Sequence, residues 1–167
     1  MNLPGALPLR ILLAEDDNDD AFFFTRALQR AGLTHLLIRA VSGQEVIDYL
    51  GKCLPVPGQP QEPTPHLLVL DLKMPALDGF TVLEWVQRQP FLNPMPVVIL
   101  SSSALFSDFE RAKALGADAY YVKPFDASKL VDIVNQIHAG QLNPLWKPPT
   151  PNRDGKRLCG PMMTFEP

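Results

Sequence analysis

Four short apolar runs end in side chains that can do phosphate and metal chemistry. Leu9-Arg10-Ile11-Leu12-Leu13-Ala14 runs into Glu15, Asp16 and Asp17, and His66-Leu67-Leu68-Val69-Leu70 is closed by Asp71. The run from Pro96 to Leu100 meets Ser101, and Tyr120-Tyr121-Val122 meets Lys123. If these runs are neighbouring parallel strands, their carboxyl ends share one crevice. Carboxylates, a hydroxyl and an ammonium then crowd together. Carboxylates so close resist ionising together. A hard divalent cation relieves the repulsion, and Mg2+ suits an all-oxygen site with one or two carboxylates, several waters and a phosphate. Asp71 is the candidate nucleophile, because carboxylates form aspartyl phosphates. Phosphoryl transfer needs charge neutralised on three equatorial oxygens. Mg2+ can take one, Lys123 another, and the Ser101 hydroxyl with nearby backbone N–H groups the third.

Each residue alone has a plainer reading. An acid after a strand is commonly a helix cap, and Asp17 and Asp126 read that way. A lone serine is commonly a turn residue, and a lone lysine a solvated one. Four strand ends in order, each bearing a needed group, outweigh those readings.

Those strands must be positioned by helices. Asn18 reads as an N-cap, with Phe24, Ala27, Leu28 and Ala31 on one face and Gly32 as the stop. His35 to Ala40 is a second strand. Ser42-Gly43-Gln44-Glu45 resembles a capping box, before a helix with Val46, Tyr49 and Leu50 inward. Five prolines between Lys52 and Pro65 mark a loop. The turn Met74-Pro75-Ala76-Leu77-Asp78-Gly79 leads to a helix from Phe80 to about Gln89, with Val82, Leu83 and Val86 inward. Another helix runs from Phe106 to Leu115, stopped by Gly116. Asp126 caps the last, with Leu130, Ile133, Val134 and Ile137 inward, stopped by Gly140. Five short continuous apolar strands alternating with five amphipathic helices predict an α/β fold, a doubly wound parallel sheet covered on both faces. Residues 1–8 form an N-terminal extension and 9–140 the domain. Residues 141–167 read as a Pro-rich, irregular tail, docked through Leu145 and Trp146, that either pairs two copies in a homodimer or covers the first strand's edge.

With 167 residues, 46% hydrophobic and 20% charged, the chain suits one domain with a sizeable core. A net charge of −3 gives no basic footprint for nucleic acid. Cys53 and Cys159 are unpatterned and read as free thiols of a reducing compartment. The longest apolar runs fall far short of the roughly 20 residues that span a bilayer, and no signal peptide is evident. A cytoplasmic protein without membrane association is expected.

The sequence resembles the response-regulator receiver family of two-component systems (the CheY-like superfamily). The resemblance rests on Leu12-Leu13-Ala14-Glu15-Asp16-Asp17, Leu70-Asp71-Leu72-Lys73-Met74-Pro75-Ala76-Leu77-Asp78-Gly79, Ile99-Leu100-Ser101-Ser102 and Tyr121-Val122-Lys123-Pro124-Phe125, and runs from about Leu9 to Ala139. It implies strand order 2-1-3-4-5. It implies Asp71 as phosphoacceptor from a histidine kinase and a Mg2+ site of Glu15, Asp16, Asp71 and the Lys73 backbone carbonyl. Asp16 is the direct ligand of the acidic pair. Ser101 becomes the switch hydroxyl, Tyr120 the aromatic ring that turns inward with it, Lys123 the phosphoryl contact, and Lys123–Pro124 a cis peptide. The long Pro-rich loop, and the lack of a DNA-binding output domain after Gly140, resemble stand-alone regulators associated with phytochrome-type histidine kinases.

Two residues go beyond the resemblance. Lys73, two residues after Asp71, either overhangs the phosphoryl group and alters its lifetime or is a solvated lysine giving only its carbonyl. Phe22 lies off its helix's apolar stripe and is either a docking residue for the kinase or packed under the tail or a loop. Two other functions compete with a phosphorylation switch. A phosphate-independent interaction module would not need Glu15, Asp16, Asp71, Ser101 and Lys123 together. Another α/β enzyme would need a nucleotide cradle, and neither G-x-G-x-x-G nor G-x-x-x-x-G-K-[ST] occurs. A hydrolase would need an added cap domain, so catalysis is expected to be confined to the protein's own phosphoryl group.

Overall fold

The computed structural model describes residues 8–140; the Leu145 and Trp146 docking contact expected of the tail lies outside them. Among these residues five strands alternate with five helices: β1 (Arg10–Ala14), α1 (Asn18–Arg30), β2 (Leu36–Ala40), α2 (Gly43–Cys53), β3 (Leu67–Leu70), α3 (Gly79–Gln87), β4 (Val97–Ser101), α4 (Phe106–Ala114), β5 (Ala119–Val122) and α5 (Ala127–His138). A short 3-10 turn, Pro90–Leu92, follows α3. All strands pair in parallel in the order β2-β1-β3-β4-β5.

The strands are apolar on both sides because both sheet faces are covered. Leu12, Leu68, Leu70, Ile99 and Tyr120 face a core closed by α2, α3 and α4. Ile11, Leu13, Val69, Val98 and Leu100 face one closed by α1 and α5, through Phe24, Ala27, Leu28, Leu130 and Val134. The two-residue period of each strand splits the apolar run between these cores.

Several expected boundaries move by a residue or two. Asn18 is the first helical residue, not the cap. Asp17 caps α1, its carboxylate accepting from Asp19 N and Asp20 N at 2.8 and 2.9 Å. A carboxylate there satisfies two orphan donors and suits the helix dipole. Ser42 caps α2 as expected, but Glu45 returns to Val41 N rather than to Ser42 N. Asp126 caps α5 through Ser128 N. Gly32, Gly116 and Gly140 follow α1, α4 and α5 with positive φ, the conformation that ends helices at low strain.

Between β3 and α3 the chain doubles back tightly. Ala76 has φ +64°, and Leu77 N donates to the Pro75 carbonyl at 2.8 Å. Gly79 N then donates to the Leu72 carbonyl at 3.0 Å, bringing the start of α3 against the backbone of Asp71. The expected cis Lys123–Pro124 bond is absent: among the described residues every peptide is trans. Trans is the preferred isomer of an X–Pro bond, by about 0.5–1 kcal/mol. With it, Lys123 already reaches every carboxylate it contacts.

Candidate functional site

The carboxyl ends of β1, β3, β4 and β5 meet above the sheet. Parallel pairing fixes this. Ala14 lies opposite Leu70, and Ser101 opposite Val122, so the residues after each strand emerge side by side. Glu15 and Asp71 are almost fully buried, at 3% and 4% exposure, and Ser101 completely so. Asp16 stands out in solvent.

Carboxylate oxygens of Glu15, Asp16 and Asp71 lie within 4.8 Å of one another. Two buried acids and one exposed acid, all hard oxygen donors, fit a divalent cation. Lys73 N donates to Asp71 Oδ1 at 3.1 Å, and the Lys73 side chain is exposed.

Lys123 binds the cluster together. Its Nζ lies 2.7 Å from Glu15 Oε2, 2.7 Å from Asp20 Oδ2 and 2.8 Å from Asp71 Oδ2. Burial opposes the ammonium, but the carboxylates of Asp20, Asp71 and Glu15 outweigh it and hold its pKa well above the usual lysine range. Burial also pushes the Glu15 carboxyl up, to about 7; Lys123 opposes the rise and the Asp71 carboxylate adds to it. Both partners of one ion pair are raised because one ammonium is shared among three acids and cannot offset the desolvation of the deepest.

The β1–α1 turn is held from the side. Arg39, on β2, donates from Nε to the Glu15 carbonyl at 2.9 Å. Its terminal nitrogens donate to the Asp16 carbonyl at 2.9 Å and to Asn18 Oδ1 at 2.8 Å. A planar fork can meet acceptors in such an arc where a point cation cannot.

On the other flank, Tyr120 is buried, and its hydroxyl donates to the Ser103 carbonyl at 2.9 Å. Its ring meets Phe109 of α4 edge-on, centroids 5.8 Å apart. Ser103 N approaches Ser101 Oγ at 3.4 Å, and the Ser103 hydroxyl donates to Asp108 of α4 at 2.5 Å. Burial keeps the Tyr120 hydroxyl protonated, raising its pKa. A chain of contacts thus runs from Ser101 to α4.

The structure brings together Glu15, Asp16, Asp71, Ser101, Tyr120 and Lys123. Phe22 stands apart on α1, 55% exposed, edge-on to Phe23 and beneath Arg26. No loop among the described residues is seen to cover it, and the tail that was the other candidate cover lies outside them. Sequence reasoning missed Asp20, Arg39 and Ser103. For Asp20 and Arg39 no local signal was available.

Residues 11–135 match the model of the response regulator receiver domain. The chain belongs to that family and carries a receiver domain of two-component signalling. It is 32% identical over 136 residues to the probable methanogenesis regulatory protein FilR2 of Methanothrix harundinacea, covering 78% of this chain and 81% of that one. The Mn2+-bound form of response regulator Rcp1 superposes with a TM-score of 0.69 at 28% identity, covering 82% of this chain and 96% of that one. The phosphorylated cyanobacterial phytochrome response regulator RcpA does so with 0.68 at 30% identity, covering 79% and 92%. Phytochrome response regulators are therefore among its structural neighbours. Among the described residues, no helix is long and apolar enough to cross a membrane.

Proposed function

We infer that this protein is a phosphorylation switch: Asp71 accepts a phosphoryl group from the phosphohistidine of a histidine kinase, and the change is passed to a protein partner. The observation that carries this reading is the placing of a buried Asp71 between the Glu15–Asp16 acids and the Lys123 ammonium. Lys73 N–H and Lys123 hold opposite oxygens of the Asp71 carboxylate and so fix its orientation. A carboxylate oxygen of Asp71 bonds to phosphorus while the P–N bond of the donor breaks and its electron pair returns to the imidazole. Lys123 then offsets charge on the phosphoryl oxygens.

Glu15, Asp16, Asp71 and the Lys73 backbone carbonyl would hold Mg2+, which when bound neutralises the carboxylates and part of the phosphoryl charge. The neighbour Rcp1 is known in a Mn2+-bound form and RcpA in a phosphorylated form, and both support the assignment. The likeness to RcpA favours a phytochrome-type kinase as donor.

Ser101 is the switch hydroxyl. Drawn to the phosphoryl group, it shifts the Ser103–Tyr120–Asp108 contacts and with them α4. The face built from α4, β5 and α5 then meets a target protein or a second copy, with no direct contact to nucleic acid or membrane. Catalysis is confined to the protein's own phosphoryl group. Exposed Phe22 and Phe23 on α1 form the kinase-docking surface.

The test is intact mass after incubation with acetyl phosphate and Mg2+. Wild type should gain one phosphoryl group (about 80 Da), lost in Asp71→Asn and with chelator. No gain under any condition would instead support a phosphate-independent interaction module.

A further inference from the structure

Lys123 has no spare donor. A lysine ammonium carries three N–H groups, and three carboxylates stand at 2.7, 2.7 and 2.8 Å from it. Glu15 and Asp71 belong to the acidic cluster that fits a cation; Asp20 does not. Asp20 comes from the first turn of α1, which Asp17 anchors by accepting from its backbone N–H. The three acceptors also differ in depth. The Glu15 and Asp71 side chains are 4% and 5% exposed, that of Asp20 42%.

For Lys123 to meet an incoming phosphoryl oxygen while Asp71 is still a free carboxylate, one of its present bonds must be given up. Leaving a buried carboxylate unpaired is strongly unfavourable. Asp20 can turn to water. We propose that Asp20 is a positioning residue that governs how readily Asp71 is charged, holding the Lys123 ammonium in the resting chain and releasing it when the phosphoryl group arrives. This rests on Asp71 being the phosphoacceptor.

The sign follows from two effects that agree. When Asp71 attacks acetyl phosphate, the new Asp71 O–P bond forms, the P–O bond to the acetyl group breaks, and its electron pair leaves on acetate. A carboxylate is thereby replaced by a phosphoryl group of greater negative charge. The Asp20 carboxylate stabilises the resting state through its charge-assisted bond, and it disfavours the charged state by repelling the phosphoryl group. Neutralising Asp20 therefore promotes phosphorylation. The ordinary role of an acid in a helix's first turn is to complement the dipole. That role would be shared equally by Asp19, which sits in the same turn and makes no ion pair with Lys123.

The experiment compares wild type, Asp20→Asn and Asp19→Asn in the full chain. Phosphorylated fraction is read by mass across an acetyl phosphate series, and Mn2+ affinity of the unphosphorylated proteins by electron paramagnetic resonance. Asp20→Asn should reach half-phosphorylation at less acetyl phosphate, by up to about fivefold, the upper end for one partly exposed ion pair. Asp19→Asn should match wild type, and all three should bind Mn2+ equally. If Asp20→Asn matches wild type or needs more acetyl phosphate, or binds Mn2+ more weakly because Asp20 is itself a ligand, the proposal is wrong while Asp71 stands as acceptor. If wild type takes no phosphoryl group, both fall together.

Discussion

Gly79 opens α3 where the backbone turns under Asp71, the proposed phosphoacceptor, and replacing it with alanine tests how rigidly Asp71 is seated. A Cβ at that position would lie 2.4 Å from the Asp71 carbonyl oxygen, 2.8 Å from Leu72 Cα and 3.1 Å from the Asp71 carbonyl carbon. Ordinary contact begins at 3.4 Å, so the two segments must part by about 1 Å. The obstacles are backbone atoms, which no rotamer change can clear. Overpacking of this kind destabilises by about 1–3 kcal/mol. The Gly79 N–H to Leu72 carbonyl bond is stretched as well, adding about 1 kcal/mol. Up to about 1 kcal/mol returns from alanine's better helix propensity. The net loss is about 1–3 kcal/mol, or about 4–12 °C in melting temperature for a domain of this size. Because Asp71 shifts with the backbone, phosphorylation by acetyl phosphate should slow on the order of 100-fold. The assays are urea unfolding and time-resolved intact mass. Gly51→Ala is the control: Gly51 lies within α2 with nothing within 4 Å of its would-be Cβ. It should gain up to about 1 kcal/mol and phosphorylate normally. A Gly79→Ala protein as stable as wild type and phosphorylated at the same rate would refute the reasoning.

Arg39→Ala should weaken Mn2+ binding about tenfold with the fold intact, since three hydrogen bonds to the β1–α1 turn are lost, and Arg39→Lys should not restore it; equal affinities would show that the turn holds itself. In chelator, the Glu15 contribution to stability should be fully present below its ordinary pKa of 4.5 and decline as pH rises through about 7, because folding raises this pKa and so favours the protonated form. Urea unfolding from about pH 5 to about pH 8 should therefore show wild type losing stability relative to Glu15→Gln, and a gain over that window would contradict the burial argument. Phe22→Ala should slow transfer from the kinase and spare acetyl phosphate; equal loss with both donors would exclude docking.

The strands were legible because both sheet faces are covered, so Leu67–Leu70 and Val97–Leu100 read as unbroken apolar runs. Their terminal acids, hydroxyl and lysine then followed from parallel order alone. Helix ends were less sharp. Asn18 and Asp17 are both good caps, and only the backbone decides which carboxylate or amide meets the free N–H groups. Asp20 and Arg39 were illegible for a different reason. An acid in a first helical turn is expected for the dipole's sake, and an arginine on an edge strand looks solvated. Their partners lie 103 residues away for Asp20 and 21–24 for Arg39, and no local pattern encodes such pairings. The cis Lys123–Pro124 bond was an expectation of resemblance rather than of these residues, and this chain does not share it.

Lys123 reaches Asp71 across 52 residues of sequence and Asp20 across 103. Contacts of such separation form late, after the loops between them have been closed. The ammonium joins the acids only when β5, the last strand among the described residues, pairs with β4 at the edge of the sheet. A growing or partly unfolded chain presents its acids without their counter-charge. On the proposed role of Asp71, a chain that has not yet added β5 lacks the ammonium that offsets phosphoryl charge and is a poorer acceptor, so completion of the sheet and competence to be charged go together.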